Sequence, residues 1–152
     1  RNFINGEGYS NKLAQDIQHS GKLQPLFLTI WMWASAFLKE LKGGEHMFID
    51  GYPRRLDEAK VLHSAMEFYQ REKPKVIYFT ISDETAIERM LARGRHDDTT
   101  EVAQERLRWY KENTEPVVEY YREHPDYELI EIDAEQSIEK IHDDIKLALN
   151  LA

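Results

Sequence analysis

Three short runs of strand-forming residues, at 46–50, 76–81 and 127–132, alternate along this chain with longer stretches whose apolar residues recur at helical spacing. Strands that alternate with helices pair in parallel, because each helical crossover returns the chain to the same end of the sheet, and the helices then cover its faces. A near-continuous apolar run such as Val76-Ile77-Tyr78-Phe79 fits a strand covered on both sides. The expectation is an α/β fold, a three-layer parallel sheet with flanking helices.

Punctuation residues place the helices. A polar helical segment over 1–20 is broken near Gly6 and Gly8 and stopped by Gly21. Pro25 opens a buried core helix over 26–41, which Gly43-Gly44 ends. Further helices are expected over 56–70, 83–92, 101–112, 116–123 and 138–149, with Ser82 and Ser137 as caps and Pro116 between two of them. The tryptophans at 31, 33 and 109 fall in these helices at core spacing, so burial explains them better than an exposed interaction face.

Charge and length narrow the function classes. The chain's 152 residues suit one domain with one substantial core. Its net charge of -8 disfavours nucleic acid as a partner, and arginines clustered on such a background have something specific to bind. The apolar stretch from Leu26 to Leu38 is too short to cross a bilayer. With no cysteine there is neither a disulfide framework nor a thiolate zinc site, and six scattered histidines do not make a metal site. A cytoplasmic monomer without membrane attachment is expected.

Two clusters carry chemistry. The run 46–50 leads straight into Asp50-Gly51-Tyr52-Pro53-Arg54, which sets a carboxylate and a guanidinium on a turn at a strand end, where open α/β sheets bind ligands. Arginine's planar fork suits anionic oxygens, and Asp50 is placed to hold a magnesium ion through water. Downstream lie Arg89, Arg93, Arg95, Asp97, Asp98 and Arg106. Arg89 and Arg93 share a helix face, where like charges repel unless solvent or an anion separates them. A solvated basic face is the plainer account of that pair. Gly94 permits close backbone approach, and Asp97 and Asp98 are suited to hold the arginines by ion pairing until a phosphate arrives. Neither cluster contains an activated nucleophile. Phosphoryl transfer needs none, because its loose transition state is stabilised by alignment and by well-placed cations.

In order along the chain, these motifs resemble the adenylate kinase family of P-loop nucleoside monophosphate kinases. Asp50-Gly51-Tyr52-Pro53-Arg54 is similar to the family's Asp-Gly-Phe-Pro-Arg, and Gly21-Lys22-Leu23 to its Gly-Lys-Leu. Arg95-His96-Asp97-Asp98, then Arg106-Leu107, resemble the lid-closing Arg-x-Asp-Asp and the helical arginine after it, with Tyr110, Thr114, Pro116 and Tyr120-Tyr121 continuing the pattern.

The resemblance implies the reaction ATP + AMP ⇌ 2 ADP, with magnesium as cofactor and ATP as co-substrate. It implies that Arg54, Arg93, Arg95 and Arg106 are catalytic and that Arg1, Gln24, Gly51, Arg54, Glu58 and Arg106 bind the monophosphate. Arg89, Arg93 and Gln136 would bind ATP, Arg89 by stacking on the adenine. Asp97 and Asp98 would close the lid, and Asp50 would hold magnesium through water. The implied organisation is monophosphate-binding helices at 1–25, core at 26–92, a very short lid at 93–100 and core at 101–152.

Three departures accompany this. Glu58 stands where the family usually has a base-reading glutamine, and an ionised carboxylate accepts hydrogen bonds but donates none. AMP is the acceptor that the resemblance favours, and this carboxylate leaves UMP or CMP open as an alternative, with a non-catalytic nucleotide-binding module as a second. The lid is shorter than the family's short form. Finally, no Gly-x-x-x-x-Gly-Lys occurs, and by the resemblance that loop and its strand would precede Arg1. The expectation is about 35 further N-terminal residues in the functional protein, and neither stable folding nor activity without them.

Overall fold

The computed structural model describes residues 3–20, 22–95 and 98–151. Contacts within the chain divide it into two units, Arg1–Asp50 and Gly51–Ala152.

The first unit is built on two helices, α1 (Tyr9–His19) and α2 (Leu26–Glu40). The break expected near Gly6 and Gly8 is a side-chain-stapled turn. Gln15 Nε2 donates to the carbonyls of Ile4 and Gly6 at 2.6 and 3.1 Å, and the Gly8 N–H donates to Asn11 Oδ1 at 2.9 Å. The expectation of a buried core helix at α2 does not hold: among its residues only Leu28 is buried, while Phe27, Leu38 and Trp31 are exposed, Trp31 by 52%. Two helices offer too few apolar faces to enclose a side as aromatic as this one. Trp31 instead packs edge-on against Phe3, with ring centroids 5.2 Å apart. Nor is the run at 46–50 a strand. A strand exists only through a partner ladder, and none meets this segment among the described residues; Phe48 stands 85% exposed.

The second unit runs α3 (Leu56–Phe68), β1 (Lys75–Thr80), α4 (Asp83–Ala92), α5 (Thr100–Asn113), α6 (Glu115–Glu123), β2 (Glu128–Asp133) and α7 (Ile138–Ala148). β1 and β2 pair in parallel, in register from Lys75 opposite Glu128 to Thr80 opposite Asp133. The α/β class is thus as expected, with two strands in the sheet of the described residues. Caps form where hydroxyls were expected: Ser82 Oγ accepts from the Thr85 N–H at 3.2 Å and Ser137 Oγ from Lys140 at 3.3 Å. Thr99 Oγ1 does the same for α5, accepting from Val102 at 3.3 Å. Pro116 sits in the first turn of α6, where an amide hydrogen has no helical acceptor to lose.

The core of this unit is where α3 meets α6 and the sheet. Ala59, Val117 and Tyr121 are buried together, with Val76, Tyr127 and Leu129 packed against them. Ala59 has no exposed surface at all, so the facing helix and sheet close on a methyl group. Ala59→Leu is expected to destabilise the protein by about 1–3 kcal/mol through overpacking, measured as a lower midpoint in urea unfolding with an unchanged slope.

Candidate phosphate-binding site

The connection from α4 to α5 starts at Arg93, the C-cap of α4, and turns at Gly94, whose φ of +68° is a left-handed conformation that glycine adopts without strain. This turn brings Asp98 back against the end of α4. Arg93 Nη2 and Nε donate to the Asp98 carboxylate at 2.7 and 3.1 Å, and Arg106 Nη1, from the second turn of α5, donates at 2.9 Å. Both guanidinium groups share Oδ1, while Oδ2 also accepts the Arg95 backbone N–H at 3.0 Å. The Asp98 side chain has no exposed surface because the arginines themselves cover it, and each arginine side chain stays about one-third open to solvent, at 37% and 33%. The Arg93 hydrogen bond holds the Asp98 carboxyl well below the usual carboxylate range; desolvation opposes it, and the Arg95 amide and Arg106 add to the lowering.

Two guanidinium groups converging on one carboxylate oxygen present the donor geometry that recognition of an anionic oxygen needs, and here a side-chain oxygen fills it. Arg95 contributes its backbone here, and its side chain is exposed.

A second set of contacts fixes the turn at 51–55. Gly51, at φ +68°, precedes a cis Tyr52-Pro53 bond, and Arg54 Nε donates back to the Gly51 carbonyl at 2.7 Å. Thr114 Oγ1, at the junction of α5 and α6, donates to the Arg54 carbonyl at 3.2 Å. The Arg55 guanidinium lies over the Trp109 ring, 5.7 Å from its centroid and on the same helix as Arg106. The start of α3 is therefore anchored on the helix that carries Arg106.

Glu58 is buried, at 4% exposure, and its Oε2 accepts the backbone N–H groups of Arg54 at 2.8 Å and Arg55 at 3.2 Å. Its position, the third residue of α3, is where an acidic side chain reaches back to amides that a helix start leaves unpaired. In this structure Glu58 thus holds the backbone that presents Arg54. The spacing was readable in the sequence; the absence of a Ser or Thr cap before it hid the signal. Thr114 stood in the family pattern, but its tie to the Arg54 carbonyl had no local signal, since the two are 60 residues apart.

On the side assigned to ATP, Arg89 is exposed on α4 and faces Glu135 in the loop after β2. The Ser82 N–H donates to Glu135 Oε1 at 2.7 Å, and this bond, with a smaller effect of Arg89, keeps the Glu135 carboxyl below its ordinary range. Gln136 follows, its Nε2 donating to the Asp133 carbonyl and to Asp144 Oδ2, both at 3.0 Å. Arg89 and the 135–136 loop therefore share one neighbourhood, apart from the Asp98 cluster in the contacts they make. In the first unit, Gln24 donates to the Ala14 carbonyl at 2.8 Å, leaving its buried Oε1 without a donor, and Asp50 is an exposed carboxylate. Arg1 and Asp97 lie outside the described residues. An open groove of about 800 Å³ beside Tyr78, Lys111 and Tyr120 is lined by none of the expected phosphate-binding arginines.

The family model described as adenylate kinase matches residues 1–125. The chain belongs to the adenylate kinase family. It is 34% identical to an adenylate kinase of Corynebacterium urealyticum over 139 residues, covering 91% of this chain and 74% of that protein. It is 35% identical to one from Prochlorococcus marinus strain MIT 9515 over 147 residues, covering 96% of this chain and 78% of the relative. A member of this family is a phosphotransferase of the nucleoside monophosphate kinase type. No helix among the described residues is long and apolar enough to cross a membrane.

Two outcomes follow from this geometry. Glu58→Ala strips an acceptor from two backbone amides and is expected to cost about 1–3 kcal/mol, whereas Glu58→Gln, which keeps an acceptor oxygen, retains most of that stability; urea unfolding of the two variants measures the difference. Asp98, whose carboxyl is held low in the folded protein, contributes stability that is complete above the unfolded value of about 3.9 and is lost as pH falls toward the folded value. Stability measured from pH 6 downward should therefore fall less steeply below about pH 4 in Asp98→Asn than in the parent.

Proposed function

We propose that this chain catalyses ATP + AMP ⇌ 2 ADP, with Arg54 and Arg106 on the monophosphate and Arg93 and Arg95 on the phosphoryl group in transfer. The observation that carries this reading is the shared oxygen of Asp98. Arg93 and Arg106, from different helices, already converge on one anionic oxygen, as a phosphoryl group between two nucleotides requires. In the resting arrangement Asp98 takes that place; when a phosphate arrives, the guanidinium groups exchange one anion for another, and desolvation and orientation have largely been met beforehand. Asp97 and Asp98 are the residues on which the short lid at 93–100 closes.

The monophosphate clamp is completed by Arg1, Gln24, Gly51 and Glu58. Glu58 acts in it through the Arg54 backbone, so the base-reading role belongs to whatever its second carboxylate oxygen offers. Arg89 and Gln136 take the adenine end of ATP. The helices at 1–25 would form the monophosphate-binding part, with core at 26–92 and 101–152.

Asp50 would hold magnesium through water. This carboxylate is exposed and sits beside the Gly51 turn, and a single carboxylate suits a cation that keeps most of its waters. Bound with ATP, magnesium would supply charge neutralisation at the phosphate oxygens. We assign AMP as acceptor, the cytoplasm as compartment and a monomeric state.

Coupled ADP formation by the full-length protein tests the reading. Arg106→Ala is expected to lower kcat by about three powers of ten or more, and Arg54→Ala to abolish detectable turnover with AMP. AMP binding without any ADP formation by the parent would make the protein a nucleotide-binding module, and faster transfer to UMP or CMP would reassign the acceptor.

A further inference from the structure

Six histidines scattered along the sequence gave no metal-ligand spacing, yet folding brings two of them together with a carboxylate. His63 projects from α3, His124 caps the C-terminus of α6, and Asp126 lies in the turn that leads to β2. One ligand atom from each of the three lies within 4.8 Å of the others. The imidazole rings are 4.4 Å apart between centroids, and each side chain is 20% exposed, while Asp126 is 64% exposed. We propose that this cluster is a binding site for one zinc-class divalent cation, which would cross-link α3 to the α6–β2 turn.

The donor set carries the proposal. Two neutral imidazoles and a carboxylate are ligands of borderline metals such as zinc, whereas magnesium and calcium favour all-oxygen sites. Ligand atoms on a tetrahedral zinc stand about 3.3 Å apart, given bonds of about 2.0–2.2 Å, so closure from within 4.8 Å asks for side-chain rotation and no rearrangement of the backbone. Asp126 is exposed enough to supply most of that rotation.

The surroundings fix the two rings. His63 Nδ1 is 3.1 Å from Tyr127 Oη, a partner for the ring nitrogen away from the metal, as metal-bound imidazoles require. Burial raises the Tyr127 hydroxyl well above its ordinary range, so it remains a neutral hydrogen-bonding group there. The His63 Nε2 atom faces Glu67, one helical turn on, at 3.9 Å. His124 packs between the rings of Tyr120 and Tyr127, at 5.1 and 5.3 Å, and its Nδ1 accepts the Asp126 N–H at 3.3 Å. Zinc binding through Nδ1 would displace that long hydrogen bond; binding through Nε2 would require Nδ1 to carry a proton directed at the Asp126 carboxylate, 3.8 Å away. None of these residues belongs to the phosphate-binding cluster, so the proposal stands independently of the kinase reading.

The test is a titration of the full-length protein with zinc chloride, free of nucleotide and magnesium, followed by competition with a chromophoric chelator. One zinc ion per chain is expected, with a rise in Tm that magnesium chloride at the same concentration does not produce. His124→Ala and Asp126→Asn should each weaken binding at least tenfold, and His142→Ala, at an exposed histidine outside the cluster, should leave it unchanged. In the unsubstituted protein, the imidazole nitrogen resonances of His63 and His124 should shift on zinc addition, which keeps the test independent of how well a variant folds. Absence of binding at one equivalent, unaltered affinity in both variants, or unshifted resonances at these two histidines would overturn the proposal.

Discussion

A buried carboxylate shared by two guanidinium groups is the interaction on which the candidate site depends. Arg93 and Arg106 carry like charge and would separate if nothing stood between them. Asp98 supplies that intermediary, and it does so with a single oxygen, which fixes the direction of approach of both cations as well as their proximity. The carboxylate is sealed by the arginines themselves, whose side chains stay about one-third open to solvent. The same contact ties the end of α4 to α5, so the local connection and the site are held by one set of bonds.

The second organising constraint is backbone control of Arg54. Its N–H is taken by Glu58, its carbonyl by Thr114, and its side chain is folded onto Gly51. Two near neighbours and one distant residue thus set one arginine, while Ala59 next to Glu58 is the point at which α3 closes on Val117 and Tyr121. The packing of α3 and the presentation of Arg54 are consequently coupled: shifting the helix to relieve a core defect would also move the amides that Glu58 binds. A buried acidic group is tolerable in this position because the unpaired amides of a helix start are concentrated there.

Much of this was legible in the residues. Ser82, Ser137 and Pro116 mark helix starts through effects confined to one turn, and the apolar run at 76–81 predicts β1 to within a residue. The Asp-Gly-Tyr-Pro-Arg turn and the arginines after α4 were equally plain. Where local pattern misled, a missing neighbour was the cause. The run at 46–50 has strand composition without a ladder, and α2 has core composition with one buried residue, since neither alternation nor aromatic content says what will be present to pair or pack. Glu58 was read from its position in a motif as a monophosphate-binding residue, and the structure adds a backbone contact that the motif did not announce, Oε2 on the Arg54 and Arg55 amides.

The sequence alone determined the helices from 56 onward and the two strands that alternate with them, the serine caps, the acidic background against which the arginines stand out, and the motif order that marks the family, because each depends on residues near one another in the chain. Only the tertiary structure decided which groups meet: Arg93 with Arg106 on one oxygen, the Arg54 carbonyl with the Thr114 hydroxyl, the His63 ring with that of His124. Such meetings are set by how helices pack on a sheet, and packing is a property of the whole unit that no short stretch of residues contains.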